Sequence, residues 1–436
     1  MPSPASKPNS RRWRRQLALW LAIWVFLTLA GSALHWSSWI GPSQEPPIVT
    51  FLSSSGLKPL SNLSSVLAAP GWILSTLVLG RLHSSSLLVT LVAHAIAWFT
   101  WLSLIALAVS IWRVLARRTH GPQPVITAPD AAASPGPASL SRRRLLVDAA
   151  FVTGAFSSSS ALGYATLVEP FAISIARYRV PIRGLDPRLD GLRIVQIGDT
   201  HLGPRVRAEF IERTLAQALA LKPDVFALVG DYIHAGRRQI EPAAQLFRPL
   251  IASGIPVVAV LGNHDWYASG PESTAELRAV GVNMIDNDRL FLDPDRRVLI
   301  DAPVPGAIAL CGVGDLWTDH IDVQSAFRDV PSDMPRVLLA HHPDTAEQNV
   351  FRDEALAAAS RRVDLMLSGH THGGQVRLPI LGTPIVPSDF GQRYAHGLVQ
   401  GPVCPVVITA GIGVSLIPVR FRVPPEIVEI TLVRSA

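Results

Sequence analysis

Residues 192–201 read Leu-Arg-Ile-Val-Gln-Ile-Gly-Asp-Thr-His, a short apolar run that ends in groups able to hold a metal. The same grammar recurs four more times, as DVFALVGD at 224–231, PVVAVLGNHD at 256–265, RVLLAHHP at 336–343 and VDLMLSGHTHGGQ at 363–375. In order, the runs end in Asp199 and His201, Asp231, Asn263 and His264, His341, then His370 and His372. Taken singly, each is an ordinary strand with a polar turn after it, and Gly-Asn-His-Asp by itself is an N-cap signal. Five together are a pattern. In open α/β sheets functional groups collect beyond the carboxyl ends of the strands, which is where every one of these groups falls.

The donor set narrows the chemistry. Carboxylate, amide and imidazole donors without thiolate suit Mn, Fe or Zn and argue against a structural cysteine-type zinc site. A strand-end aspartate can bridge two metals, and two ions about 3.5–4 Å apart clamp a phosphoryl group and hold an activated hydroxide for in-line attack. Between the runs lie amphipathic stretches at 207–221, 242–252, 272–280 and 345–360, with further strand-like runs at 403–411 and 426–433. Fully apolar strands alternating with helices predict a buried α/β sheet structure. About 250 residues from 183 to 436 suffice for one such domain.

The first half of the 436-residue chain has a different texture. Residues 1–169 carry 13 Lys/Arg against 4 Asp/Glu, whereas residues 170–436 carry 26 against 29. The basic isoelectric point is therefore not a nucleic-acid footprint of the second half, and no nucleic-acid partner is expected. The mean hydropathy of +0.30 points to membrane segments. Residues 16–34 and 84–112 contain no charged residue and are each long enough to span a bilayer. Residues 63–80 are apolar but broken by Pro70 and Gly71, which reads as interfacial or re-entrant. A transmembrane region over 1–118 is thus expected, then a Pro/Ala/Ser-rich linker over 119–140.

At 141–168 an arginine triplet, Arg142–Arg144, precedes an apolar stretch rich in small residues. It matches a twin-arginine export signal in part, with Leu145 where Phe is usual and Asp148 inside the run. A third membrane anchor with a basic cytoplasmic flank is the plainer reading. Basic regions on both sides of the first two spans favour an even number of crossings, which places the second half outside the cytoplasm. The two cysteines, Cys311 and Cys404, lack metal-site spacing and could pair or stay reduced.

The blocks Asp199-Thr200-His201, Gly230-Asp231, Gly262-Asn263-His264-Asp265, His341 and Gly369-His370-Thr371-His372 together resemble the calcineurin-like metallophosphoesterases, in the family's order, over roughly residues 185–436. Gly373-Gly374-Gln375, Arg393-Tyr394 and Pro418-Val419-Arg420-Phe421 are similar to the small bacterial branch that carries an N-terminal signal or anchor. The resemblance implies a four-layer α/β/β/α sandwich that holds two divalent metal ions. It assigns Asp199, His201 and His372 to the first ion, Asn263, His341 and His370 to the second, and Asp231 to both. It gives His264 the phosphate and leaving group, with Asp265 orienting that imidazole. The choice of His341 over the adjacent His342 rests on the family pattern.

The expected protein is therefore a phosphoesterase anchored in a bacterial inner membrane, its catalytic domain on the periplasmic side. Attack by a metal-bound hydroxide on phosphodiester, pyrophosphate or phosphomonoester bonds is implied, lipid-linked substrates included. Rival readings are a phosphoprotein phosphatase and a non-catalytic, metal-binding membrane scaffold or sensor. Asp315, Arg393, Arg422 and the remaining histidines, His234 among them, read as structural or surface residues.

Overall fold

The structure is a computed structural model that describes residues 163–436, apart from 353–361, 416 and 436, together with a few positions between 153 and 161. The expected spans at 16–34 and 84–112, the broken stretch at 63–80 and the linker at 119–140 lie outside the described residues, as does most of 141–162. Among the described residues no helix is long and apolar enough to cross a membrane.

Two mixed sheets make the domain. The first has the order β1-β13-β2-β3-β4-β5, from β1 (Ser174–Arg183), β13 (Glu426–Ser435), β2 (Arg193–Ile197), β3 (Val225–Leu228), β4 (Val257–Ala259) and β5 (Asn283–Met284). The second has the order β11-β12-β10-β9-β8-β6-β7. It contains β11 (Gly397–Gln400), β12 (Pro405–Ile408), β10 (Leu365–Ser368), β9 (Arg336–Leu339), β8 (Ile308–Gly312), β6 (Asp288–Leu292) and β7 (Leu299–Ile300).

The apolar runs are continuous because both faces of these strands are buried. Along β2, Val195 and Ile197 face a core shared with the helices, while Ile194 faces the core between the sheets. In β3, Phe226 and Leu228 face the helices, and Val225 and Ala227 face the other sheet. From the opposite side, Val337, Leu339, Leu365 and Leu367 enter the same central core, while Leu338 and Met366 face outward into a third cluster. Helices α1 (Ala208–Ala220), α2 (Ile240–Gln245), α3 (Arg248–Ala252) and α4 (Asn263–Ala279) accompany the first sheet, and Leu215, Ala243, Leu250 and Leu277 pack in its outer core. Short α5 (Val323–Ala326) supplies Val323 and Ala326 to the outer core of the second sheet, with α6 (Asn349–Arg352) beside it. The result is α/β/β/α layering.

Several boundaries differ from the sequence reading. The domain starts before residue 183, because β1 pairs in parallel along its whole length with β13. Arg177, Arg179 and Arg183 disguise it: β1 is an edge strand that buries Val180 and Ile182 and leaves its arginines outward. The helix expected over 242–252 breaks into α2 and α3 around Pro249. The one expected over 272–280 begins earlier, at Asn263, and breaks at Ser269 ahead of Pro271. Of the stretch 345–360, the described part is a 3-10 turn at Pro343–Glu347 followed by α6.

Strand direction decides where the functional groups meet. β2, β3 and β4 run parallel in one sheet, and β9 and β10 run parallel in the other. Their carboxyl ends lead into Asp199, Asp231, Asn263, His341 and His370 respectively, so loops from both sheets converge on one region.

Candidate metal centre

The seven expected ligands are brought together, and nearly all are sealed from solvent. Asp199, His201, Asp231, Asn263, His341, His370 and His372 are each less than a tenth exposed. The backbone is bent hard to achieve this. Asp199, His201, Asp231, His370 and His372 all have positive φ, between 46° and 68°. For residues with a Cβ this region is uncommon and costs energy, and such strain gathers at functional sites where surrounding structure holds it in place. Gly230 and Gly262 supply the close approach beneath. A Cβ on Gly230 would meet Gly262 N at 2.5 Å, and one on Gly262 would meet Asp231 Oδ1 at 2.3 Å.

Two clusters share one carboxylate. In the first, His201 Nε2 lies 2.8 Å from His372 Nε2, and His372 Nε2 lies 3.4 Å from Asp199 Oδ1. In the second, His370 Nδ1 lies 2.9 Å from Asn263 Oδ1 and 3.2 Å from His341 Nε2. Asp231 Oδ2 is 3.5 Å from His201 Nε2 and 3.3 Å from His341 Nε2, so it faces both.

The separations of 3.2–3.5 Å around Asp231, Asp199 and His341 match those of ligands gathered about a cation, while His201–His372 and His370–Asn263 stand at hydrogen-bond length. With metal–ligand lengths near 2.0–2.2 Å, neighbouring ligands of one ion sit about 3–3.5 Å apart. Asp199 Oδ2 is buried with no hydrogen-bond donor, although Oδ1 accepts from the His370 N–H at 2.8 Å. His341 Nδ1 must carry its proton, since it donates to the Val229 carbonyl at 2.7 Å. That bond fixes the tautomer and leaves Nε2 as a lone-pair donor pointing into the cluster, a common arrangement behind metal-ligating histidines.

Electrostatics lead to the same place. Burial pushes His201, His370 and His372 well below the usual imidazole range, so these rings are neutral, as ligands must be. Burial also raises Asp199, to about 7, in company with the Asp231 charge. Burial lowers His341 too, but the Asp231 carboxylate outweighs it and carries the ring to about 10. Positive charge is wanted beside Asp231.

His264 sits in the first turn of α4, half-buried; its backbone N–H donates to Asp231 Oδ1 at 2.8 Å, while its ring stands outside the tight contacts of the two clusters. Its Nδ1–H donates to the His234 carbonyl at 2.5 Å, and its ring centroid lies 4.7 Å from that of His201. Asp265 does not orient it. Successive residues on a helix point about 100° apart, and the Asp265 carboxylate instead accepts from the backbone N–H groups of Asp231 (2.8 Å), Tyr232 (2.9 Å) and Gly262 (2.9 Å). It fastens the loop after β3 to the start of α4. His342 is turned away from Asp231; its Nδ1 accepts from the Asp344 N–H at 3.2 Å, while its ring lies 4.1 Å from that of His370.

Three residues whose role the sequence did not show take up positions at the site. His234, three positions after Asp231, joins His201 and His264 in a third histidine group. Its role toward His264 is carried by a backbone oxygen, which residue type cannot reveal. Trp317 is 53% exposed and lies 4.5 Å, centroid to centroid, from both His342 and His370. Asp315 presents it, accepting from Trp317 N at 3.0 Å and from Thr318 Oγ1 at 2.7 Å, which is a structural task. Arg420 is wholly buried and donates to the carbonyls of Ala410, Gly411, Gly413 and Val423. That loop in turn backs Asp199, whose carbonyl accepts from Gly413 N at 2.7 Å. Arg393 pairs with Glu347 at 2.7 Å, and Arg422 is exposed. Both cysteines are buried and free.

Comparison with known proteins identifies the family to which the chain is similar. Residues 192–374 match the family described as calcineurin-like phosphoesterase. The Escherichia coli (strain K12) protein named phosphodiesterase YaeI is 31% identical over 300 residues, covering 67% of this chain and 100% of that protein. The Bacillus subtilis (strain 168) protein named uncharacterized metallophosphoesterase YkuE is 28% identical over 298 residues, covering 67% and 98%. A Danio rerio protein named transmembrane protein with metallophosphoesterase domain is 31% identical over 271 residues, covering 58% and 56%.

Proposed function

This chain belongs to the calcineurin-like phosphoesterases, which are metal-dependent phosphoester hydrolases, and on that premise we propose that it is a membrane-anchored phosphodiesterase with a two-metal site. The observation that carries the reading is the Asp231 carboxylate, whose Oδ2 faces His201 Nε2 at 3.5 Å and His341 Nε2 at 3.3 Å. Asp199, His201 and His372 would hold one divalent ion, Asn263, His341 and His370 would hold a second, and the Asp231 carboxylate lies between the two groups.

The ions, when bound, supply charge to the phosphoryl oxygens and acidify a water. The chain's own residues do the rest. Val229 and Asp265 keep the ligand loops in place before metal arrives. His264, its Nδ1–H committed to the His234 carbonyl, offers Nε2 to the oxygen that leaves phosphorus. As water oxygen joins phosphorus and the P–O bond to the ester oxygen breaks, the proton on His264 Nε2 passes to the departing oxygen, and the proton released by the attacking water returns through solvent to Nε2. A diester is favoured over a monoester because a relative sharing 31% identity over its full length is named a phosphodiesterase. The apolar, arginine-flanked segments before residue 169 support anchoring, a periplasmic placement and substrates that reside in lipid.

The full-length protein, purified in detergent, should hydrolyse bis(p-nitrophenyl) phosphate faster than phosphoserine peptides, with two equivalents of Mn, Fe or Zn bound. Chelation should stop turnover, and Asp231→Asn should lose both turnover and metal. Turnover retained in both Asp231→Asn and His264→Ala would overturn the reading, and a strong preference for phosphopeptides would replace the diester with a phosphoprotein substrate.

A further inference from the structure

We propose that the hairpin at residues 377–382 is an interfacial foot that sets the domain against an anionic lipid bilayer. Val376 bridges Phe421, and from there the chain runs out and back, with Leu378 N donating to Gly382 O at 2.7 Å and Gly382 N to Leu378 O at 3.1 Å. The tip between them is Pro379-Ile380-Leu381. Ile380 is fully exposed and Leu381 is 66% exposed, and Ile385 and Phe390 follow on the same loop, partly bare. Ile380 also has φ +70°, a conformation that a β-branched residue rarely adopts. The hairpin is built to hold this shape: Gln392 donates to the Leu381 carbonyl at 3.2 Å and accepts from Thr383 N at 3.1 Å.

Two further observations say what covers the tip. Arg377 and Arg422, each the next residue after the bridged pair Val376 and Phe421, are both exposed. An apolar tip with arginines at its base fits a bilayer carrying anionic headgroups, with the apolar side chains below the phosphates and the guanidinium groups among them. The second observation is where the chain enters the domain. The Arg420 N–H donates to the Ala165 carbonyl at 2.9 Å, and Glu169 Oε1 accepts from Val423 N at 2.7 Å. Residues 163–171 are thus fastened to the segment that also bridges Val376, and they too expose apolar side chains, Leu167 at 75% and Val168 at 51%. The arginine-led apolar stretch of 141–168 ends here. Tether and hairpin are sewn to one strip of chain, 420–423, so a tether rooted in lipid brings the tip to the bilayer. Because His372 lies six residues before Leu378, such contact would put the metal centre's mouth near the headgroup plane.

The inference rests on the membrane-anchored reading, and the two can fail separately. Cys311 and Cys404 are buried, so Ile380→Cys in the full chain offers one accessible thiol for an environment-sensitive fluorophore. Leu398→Cys, on exposed edge strand β11, serves as the control, and Leu381→Cys repeats the test should the first variant fold poorly. In vesicles of phosphatidylcholine with phosphatidylglycerol, label at position 380 should shift to the blue, be quenched by headgroup-proximal nitroxide lipids, and lose access to aqueous iodide, about 5–10 Å deep in the interface. Label at 398 should do none of these. Protein that floats with the vesicles while both labels stay equally open to iodide would keep the anchor and overturn the foot. Protection at 380 in detergent that grows with protein concentration would give the tip to a second copy and overturn it too. Failure to float would remove both.

Discussion

The Asp265 carboxylate accepts a hydrogen bond from the backbone N–H of Asp231 at 2.8 Å, across 34 positions of sequence. It also takes the N–H groups of Tyr232 and Gly262. One side chain thus locks the loop that carries the shared carboxylate to the turn that carries Asn263 and His264. Asp265→Ala should therefore lower metal affinity about 10- to 100-fold while leaving the pH dependence of turnover in the metal-saturated enzyme unchanged. Metal titration by calorimetry, beside a pH–rate profile, checks this. A shifted pH limb with normal metal affinity would return Asp265 to the role of orienting His264.

His264 is held from its Nδ1 side by the His234 carbonyl. A group that protonates the departing oxygen matters most when that oxygen is basic. His264→Ala should keep its metals and lose turnover by about 10²–10⁴-fold on an alkyl diester. The loss should be distinctly smaller on a p-nitrophenyl diester, whose leaving group needs little protonation. Equal losses on both substrates would assign His264 to binding alone.

Arg420 donates to the carbonyls of Ala410, Gly411, Gly413, Val423 and Pro424 behind Asp199, and burial lowers its guanidinium to about 10. Arg420→Met leaves the buried Ala410, Gly413 and Val423 carbonyls without this donor, while Gly411 keeps the Glu426 N–H, at a cost of about 3–5 kcal/mol. Thermal unfolding should report it, together with weakened metal binding at the Asp199 cluster. Arg420→Lys, with fewer donors and no planar fork, should recover only part. An unchanged midpoint in the Met variant would refute the clamp.

Asp286, outside the two ligand clusters, gives a pH signature of its own. Burial raises its carboxyl from 3.8 to about 7, although Oδ1 accepts from Leu261 N at 2.8 Å. The folded state then binds the proton more tightly than the unfolded one. That contribution to stability is complete below about pH 4 and is lost as pH rises to about 7. Asp286→Asn keeps an acceptor for Leu261 and removes the titration, so its stability should fall less between pH 5 and pH 8 than the parent's. Denaturant midpoints at the two pH values decide it; parallel slopes would remove Asp286 from the account.

How much of this was legible before folding depends on what each feature is made of. The five apolar runs are both-face-buried strands, and burial on both faces writes an unbroken hydrophobic string that needs no partner to be read. The candidate ligands follow the strand ends, so their positions along the chain are legible for the same reason. Edge strand β1 was missed because half of it faces water and carries Arg177, Arg179 and Arg183. The break between α2 and α3 and the early start of α4 were missed because local turns, not periodicity, set them.

The sequence alone determined the strand-and-helix grammar, the donor set and its chemistry, and the charge contrast between the two halves of the chain. Those are properties of residue type and spacing, which survive in a linear string. Only the tertiary structure decided that Asp231 reaches both clusters, that His341 and not His342 turns toward it, that Asp265 serves the backbone while a carbonyl of His234 serves His264, and that Arg420 clamps from behind. Each depends on where a side chain points or on a backbone oxygen common to every residue. Such relationships come into being only when loops from two sheets are brought to one place.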